Sequence, residues 1–570
     1  YGSTYNWQRA SFAADSLGNT IQNTQSWQFN SSLAMNTLYN KLSWFKEIQR
    51  KQRLKSRGSS SRGNQKEQGK SQVKNTSNEE EEEEEEEDKD KMTVFDHFGS
   101  LLMMVKTVSG NYSLNGGLLV PGYAAGVNFV GAYPSLGSPG TEFLFGKQNN
   151  YGDFEEYIEY ASSQDWLVRQ NNLNTPWSKT SNENLNFRVS VQPVNDLRIE
   201  ITGQRQHSTQ YSEFYRWYDT LFFDDGTFET DFWNQESPVS TGNYSVSYNM
   251  IGTAFTTDGE DYVNSVFETF GENRVIISDR LGGQNSLSQG SHELFDEYAD
   301  GYGPTQPRVL IPAFLAAYSG DSPDKISLSP TNTAIKPNWR ITYTGLTKIP
   351  WFKERFKNVT LNHAYRASYN INSYRSNVLY GDDNQDGFSD VRDPLSGIDF
   401  VSQYEFQNIT LSEQFSPLIN ADFQFNNTLS FRAEYARDRN LSLSLANSQV
   451  TEIRGREYTF GLGYTFKEIK FPIGGTPGKP APTSDLKTRL DVTIRDNSTI
   501  IRKLDAEVNR NEPTAGQNVV TIKFTADYQL NQTLNLRFYF DRNVNNPVIS
   551  TSFPTANTKA GLSIRFAITG

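Results

Sequence analysis

The sequence predicts an all-β protein, an antiparallel transmembrane β-barrel with loop and helix excursions outside its wall. Three observations carry that prediction. First, apolar and polar residues alternate from Ile419 to Phe466. Ile419, Ala421, Phe423 and Phe425 stand against Asn420, Asp422 and Gln424, and beyond the Asn426-Asn427 break Leu429, Phe431, Ala433 and Tyr435 stand against Ser430, Arg432, Glu434 and Ala436. A period of two puts each set on one sheet face, and Asn-Asn turns the chain between antiparallel strands. Second, Val359, Leu361, His363, Tyr365, Ala367, Tyr369 and Ile371 keep one phase for 13 residues. A tilted strand needs about 9–11 residues to cross an outer membrane, and strands of soluble sheets have about 5 or 6. These odd positions are therefore expected to face lipid. Third, no run of 18 apolar residues exists, which excludes a membrane-spanning helix, while a mean hydropathy of −0.65 suits a barrel because half of each strand faces a polar lumen.

Composition fits the same class. Aromatic residues make up 13% of the chain, with 29 Tyr and 37 Phe, the material of interfacial girdles. There is no Cys, so disulfides, thiolate metal sites and cysteine catalysis are excluded together. Glu79 to Lys91 holds eleven acids against two Lys, a charge of −9 out of the net −12, so the remainder is −3 and shows no nucleic-acid footprint. Four His, at 97, 207, 292 and 363, are scattered without metal-pair spacing, and neither a phosphate loop nor a nucleophile elbow occurs. The chain is not expected to be an enzyme. It opens at Tyr1 with no initiator Met and no signal sequence, so it is expected to belong to a longer polypeptide.

In chain order, residues 1–45 read as barrel strands, with Trp27 and Phe29 in alternation. Residues 46–91, basic and then poly-Glu, cannot bury surface and read as a disordered insertion. Residues 92–204 read as strands with a long Gly- and Pro-punctuated loop over 121–140 and a short amphipathic helix within 153–167. Residues 205–305 read as a folded extracellular or cap excursion, in which Val263, Val266, Phe267 and Phe270 have helical spacing after an Asp258 cap. Residues 306–570 read as the C-terminal meander, ending on a strand whose last aromatic is Phe566.

Three joints share an aromatic followed by Lys and Glu: Trp44-Phe45-Lys46-Glu47, Trp351-Phe352-Lys353-Glu354 and Phe466-Lys467-Glu468. A membrane interface selects that pattern, because rings sit at headgroup depth and the ammonium reaches water. The tight Asn426-Asn427 and Asn531-Gln532 fall on the same side, with the Pro-rich 471–482. The opposite side receives 372–398, 446–456, 496–518 and 541–556, which read as longer external loops. If the Leu429 set faces lipid, then Arg432 and Glu434 face a lumen, as do Lys523, Asp527 and Arg537 on later strands.

One motif carries metal chemistry. Asp382, Asn384, Asp386, Asp390 and Asp393, with Gly387 and the Phe388 carbonyl, match positions of an EF-hand-type loop. The span is either a weak Ca²⁺ site or a solvated acidic turn.

Several segments together resemble the C-terminal part of the SprA/Sov family. They are Ala14-Asp15-Ser16-Leu17-Gly18-Asn19-Thr20-Ile21-Gln22-Asn23, Leu38-Tyr39-Asn40-Lys41, Ile311-Pro312-Ala313-Phe314-Leu315-Ala316-Ala317-Tyr318, Pro337-Asn338-Trp339-Arg340-Ile341 with Tyr343, and His363-Ala364-Tyr365-Arg366. That family forms the outer-membrane translocon of the type IX secretion system, also linked to gliding motility. The resemblance implies part of a very large barrel in the Gram-negative outer membrane that passes folded cargo proteins. It further implies a PorV-type shuttle protein and a periplasmic plug protein as partners, and it makes the excursion at 205–305 part of the cap or the shuttle-binding surface. Two rival readings remain. A TonB-dependent-receptor-like transporter would carry an N-terminal plug, and a secreted calcium-binding β-rich adhesin would stay in the aqueous phase.

Overall fold

The computed structural model describes all residues except 12–15, 52–93, 127–131, 133–136, 223–227, 395–396, 471–482, 505–509, 531–533, 550–551 and 567–570. The expected turns at 471–482 and Asn531-Gln532 and most of the expected insertion at 46–91 lie outside the described residues. The described chain is one antiparallel sheet of 16 strands. Its first half comprises β1 (Gly2–Gln8), β2 (Asn19–Ala34), β3 (Val105–Tyr123), β4 (Trp177–Val194), β5 (Leu197–Phe222), β6 (Phe228–Ser247) and β7 (Asn338–Tyr343). The second half comprises β8 (Phe356–Ser376), β9 (Tyr404–Phe406), β10 (Asn408–Phe425), β11 (Leu429–Ser444), β12 (Gln449–Lys470), β13 (Thr483–Lys503), β14 (Arg510–Gln529), β15 (Leu534–Ile549) and β16 (Thr555–Phe566). Neighbours in sequence are neighbours in space, as in a meander.

One slot is shared. Between β5 and β8, β6 fills the upper part and β7 the lower, both running antiparallel to β5. The break is stitched: the Ser247 hydroxyl accepts the Gln204 amide at 3.0 Å and the Asn338 side-chain amide at 3.2 Å, and Lys336 N–H donates to the Ser247 carbonyl at 3.0 Å. Residues 248–337 are thus an insert spliced into the middle of a wall strand.

This corrects the expected domain boundaries. The described residues of 205–247 are wall strands, so the excursion starts at 248 and runs on past 305. The Ile311–Tyr318 segment, expected at the start of the meander, is the buried helix of the insert. The reason is length: an apolar run of this size with Pro at its first helical position and Gly320 at φ 77° after its end makes a buried helix, not a strand. Two long helices build the insert, residues Ser265–Gly282 and Pro307–Ser319. The first is capped by Asn264, whose side chain accepts the Val266 amide at 3.0 Å, and not by Asp258 as expected.

Short helices lie in three other connections, and the described helices are numbered in chain order. α1 (Met35–Tyr39), α2 (residues 43–51) and α3 (Val94–Leu102) lie between β2 and β3; α4 (Thr141–Leu144) and α5 (Tyr157–Ser163) lie between β3 and β4. The two long helices of the insert are α6 and α7, and α8 (Pro350–Arg355) leads into β8. Residues 46–51, expected to be disordered, belong to α2.

The core sits where helices cover the sheet. Tyr365, Ala367, Tyr369 and Ile371 of β8, with Ile409, Leu411 and Phe415 of β10 and Leu441 and Leu443 of β11, are buried in one cluster with Phe267, Phe270, Phe314 and Tyr318 of α6 and α7. These odd positions of β8 were expected to face lipid. Their place under the insert is a correction, since a helical layer hides them as lipid would. A second cluster packs α5 against Ile21, Leu118, Val120, Trp177 and Tyr215 at the same end of the sheet.

The upper strand ends also differ from expectation. β12 begins at Gln449, β13 runs to Lys503, β14 begins at Arg510 and β15 runs to Ile549, so the described residues of the spans 446–456, 496–518 and 541–556 are mostly ladder and not loop. Charge pairs replace apolar alternation there, which conceals strand character from a reading based on period two.

Candidate functional site

The register assigns every side chain on the C-terminal sheet to one of two faces, because directly opposed residues share a face. On one face, a cross-strand row runs Asp422, Arg432, Gly461, Asp491, Lys523, Asp541, Lys559. The signs alternate along it. Gly461 allows the close approach of Arg432 and Asp491, since a Cβ there would come within 2.8 Å of the Asp491 carboxylate. A second row runs Lys487, Asp527, Arg537, Ser563. Arg537 Nε donates to Asp527 at 2.6 Å, Arg489 Nε to Asp491 at 2.6 Å, and Arg432 pairs with Glu434. The five residues expected to line a lumen, Arg432, Glu434, Lys523, Asp527 and Arg537, therefore share one polar face on which neighbouring charges neutralise each other. Such a wall is well wetted and carries little net field with which to hold an ion of either sign.

The opposite face is apolar in a band of constant height. Tyr458 to Phe466 on β12, Leu486 to Ile494 on β13 and Val520 to Tyr528 on β14 are nine-residue stretches in mutual register. At about 3.3 Å per residue each covers about 30 Å along the strand, or about 20–25 Å of height at a tilt of about 35–45°, close to the apolar belt of about 25 Å in outer-membrane barrels. Phe460, Leu462 and Phe466 are exposed, as are Ile564 and Phe566 on β16 and Trp27, Phe29 and Leu33 on β2. The band is bare on β12 and β16, and the same sheet face is exposed on β2 in the first half of the sheet.

Above the band the same face carries charge, and the insert covers it. Arg437 and Arg439 of β11, Glu413 of β10, Glu452 and Arg454 of β12 and Arg502 of β13 are all buried in phase with apolar neighbours. Arg502 is 0% exposed and Glu452 1%. Arg502 donates to Glu452 at 2.9 and 3.0 Å, to Asp258 of the insert at 2.8 Å, to the Tyr262 carbonyl at 2.6 Å and to Asn511 at 2.9 Å. Arg454 binds Asp258 at 2.7 and 3.2 Å and Glu452 at 2.7 Å. Arg439 binds Glu413 at 3.2 Å and reaches the Thr253 carbonyl at 3.0 Å and hydroxyl at 2.9 Å. This network clamps residues 253–262 of the insert onto four wall strands. Sequence reasoning missed it, although the signal was present: a charge in the apolar phase of a strand means that this stretch of the face does not meet lipid.

The interface residues separate. Trp44, Trp351 and Phe466 lie at one end of the sheet, the end of the 194–197, 344–355 and 425–429 connections, and all three are exposed. Phe352 stacks edge-on against Trp351 at 4.8 Å. Phe45 departs from expectation: it is buried with Tyr39 and Ile48, because it lies on the inner side of α2.

The acidic loop lies at the other end. Asp382 accepts the amides of Asp386 and Gly387, both at 3.0 Å, Asp386 accepts that of Phe388 at 2.8 Å, and Asp390 accepts that of Asp383 at 2.6 Å. Gly387 takes φ 84°, where the tight turn requires it. Asn384 bridges to Asp386 at 3.2 Å, and Asp393 donates its amide to the Asp399 carbonyl at 2.8 Å. Among the described residues no three His, Cys, Asp or Glu side chains are gathered as a metal-holding group. His363 is held between the Trp339 indole, which donates to Nε2 at 3.2 Å, and the Leu418 carbonyl, which Nδ1 reaches at 2.7 Å. A carbonyl only accepts, so Nδ1 carries the proton and the ring serves packing.

No family model and no curated protein matches the chain. Among solved structures it is similar to a chain of the RagAB peptide importer in its "closed-closed" state, with a TM-score of 0.21 and 8% identity over 78% of this chain and 45% of that one. The chain thus spans less than half the length of the importer chain it matches.

Proposed function

We propose that this chain forms part of the wall of a transmembrane β-barrel in the Gram-negative outer membrane and passes protein cargo along its polar face. The observation that carries the reading is the pairing of a bare apolar band of bilayer height with a charge-balanced polar face on the same strands. Soluble sheets hide their apolar face against another layer; here, among the described residues, the helical layer covers the end above the band and leaves Phe460, Leu462 and Phe466 exposed. The insert rises from one end of the band and the tightest turns, 195–196 and 426–428, close the other, so we read the Trp44, Trp351 and Phe466 end as periplasmic and the insert as external.

The finer reading is the outer-membrane translocon of the type IX secretion system, supported by the segments that resemble the SprA/Sov family. Under it, secreted folded proteins are the cargo, a PorV-type shuttle and a periplasmic plug are the partners, and the insert at 248–337 contributes the cap or the shuttle-binding face. The absence of Cys makes the test direct. In outer-membrane vesicles, Thr493→Cys on the polar face should react with a membrane-impermeant maleimide, while Leu462→Cys on the band should react only after detergent is added. Equal labelling of both before detergent would end the barrel reading. Removal of 248–337 with unchanged shuttle co-purification would end the assignment of that surface alone.

A further inference from the structure

The connection from β2 to β3 contains a helix whose polarity is inside out. On α3, Phe95, Phe98 and Leu101 are 77%, 58% and 60% exposed, and Leu102 is exposed beside them. At 100° per residue these four positions fall within about 120° of arc. The side turned to the protein carries Asp96 and Gly99 instead. Asp96 is buried in an ion pair with Lys51 of α2 at 3.0 Å, and Gly99 lets α2 approach so closely that a Cβ there would meet the Ile48 side chain at 2.3 Å. The chain therefore buries a charge pair and a glycine while leaving its aromatic face outside. In water that arrangement wastes apolar burial; against hydrocarbon it does not.

We propose that α2 and α3 form a foot lying in the periplasmic headgroup layer, with Phe95, Phe98, Leu101 and Leu102 inserted among phospholipid acyl chains. The occupant follows from position. The exposed Leu33 and Phe29 of β2 lead directly into α1, where Leu38 and Leu42 nearby are exposed as well, so the apolar face of the foot follows on from the exposed apolar face of the wall at β2. Trp44 lies against Gly99 at the same end. Lys41 and Lys46 are exposed on the neighbouring turns. Apolar residues on one side with cations beside them match an amphipathic element at an anionic lipid surface. The proposal rests on the membrane reading above and adds a second kind of lipid contact, parallel to the surface and not across it.

The test uses single cysteines carrying an environment-sensitive fluorophore at Phe98→Cys (foot), Ile564→Cys (band) and Thr493→Cys (polar face), in the full chain reconstituted into phosphatidylethanolamine–phosphatidylglycerol bilayers with spin-labelled lipid. Phe98 is exposed, so its replacement leaves the fold intact, and Leu101→Cys repeats the measurement one turn away. Severalfold stronger quenching at 98 and 564 than at 493 is expected. Quenching at 564 without quenching at 98 or 101 would overturn the foot, whether water or another protein covers it, and leave the barrel standing. Quenching at 98 without 564 would keep the foot and refute the spanning wall, and quenching at neither would refute both.

Discussion

Replacing Arg502 with Met tests whether the buried charge network is what holds the insert to the wall. The side chain is wholly buried and is shared by Glu452, Asp258, the Tyr262 carbonyl and Asn511. Met keeps most of the volume and removes the cation. Two carboxylates are then left with Arg454 as the one cation among the described residues that binds them, and a carbonyl loses its donor. Breaking a buried pair by deleting one partner costs about 3–5 kcal/mol, most of it the uncompensated charge. That cost falls on docking of the insert, because the β12–β13 and β13–β14 ladders do not depend on the guanidinium. Local opening of α6 and α7 should become easier by that amount, so at about 3 kcal/mol their amides should exchange about a hundredfold faster while β12 to β14 stay protected. Adding Asp258→Asn should recover part of the loss, since it removes one of the stranded charges; groups sharing a network couple by about 0.5–3 kcal/mol. Unchanged exchange in α6 and α7, or single and double variants additive within about 0.5 kcal/mol, would refute the clamp.

The contact between the insert and residues 377–403 should weaken in acid. Burial alone would raise the Asp300 carboxyl, but Arg392 at 2.7 Å and the Gln289 amide outweigh it and hold it below the ordinary carboxylate range. A folded value below the unfolded one contributes stability above about pH 4 that is lost as pH falls through the folded value; limited proteolysis between about pH 5 and pH 3 should show the loss, and Asp300→Asn should flatten it. In the acidic loop, Asp382→Ala removes the acceptor of two amides, so residues 383–390 should exchange faster with no change in global melting. Calcium held at the six sequence positions would slow exchange at the same amides in the wild type, and identical rates with and without millimolar Ca²⁺ would retire the ion. Gly461→Val should drive a side chain into Asp491 and Arg432 and destabilise the β11–β13 ladder by about 1–3 kcal/mol, read as a lower temperature for heat-modifiable gel mobility.

What the sequence made legible was the alternation, and alternation reports only that two faces differ. The strands of β8 and β10 to β16, the polar face with Arg432, Lys523 and Arg537 and the common end of the three aromatic joints all follow from it. It cannot say what covers an apolar face. Tyr369 and Phe460 occupy the same phase of the same surface, yet one is buried under Tyr248 and its neighbours and the other is exposed. The insert was misplaced for a related reason: β6 and β7 are two fragments of one wall strand, and only their shared partners on β5 and β8 reveal the splice.

Charge in the apolar phase resolves that ambiguity, and it does so from the sequence. On β11 the phase reads Leu429, Phe431, Ala433, Tyr435, then Arg437 and Arg439; on β12 it reads Phe466 back to Tyr458, then Arg456, Arg454 and Glu452; on β13 it reads Leu486 to Ile494, then Asp496. The change from apolar to charged falls at the same level on all three strands, since Tyr435 pairs with Tyr458 and Tyr458 with Ile494. A lipid-facing position cannot hold an arginine cluster at hydrocarbon depth without a cost of about 2–4 kcal/mol each, so in the proposed barrel this line marks where hydrocarbon stops. Beyond it the wall still needs a cover for Tyr365, Ile409 and Leu441, and the insert supplies one that is polar where it meets the arginines and aromatic where it meets the rings. An insert spliced into β6–β7 at mid-height can reach that surface directly. In the proposed barrel the position of the splice and the height of the charge line are therefore two consequences of one constraint, that the same sheet face meets lipid below and water above.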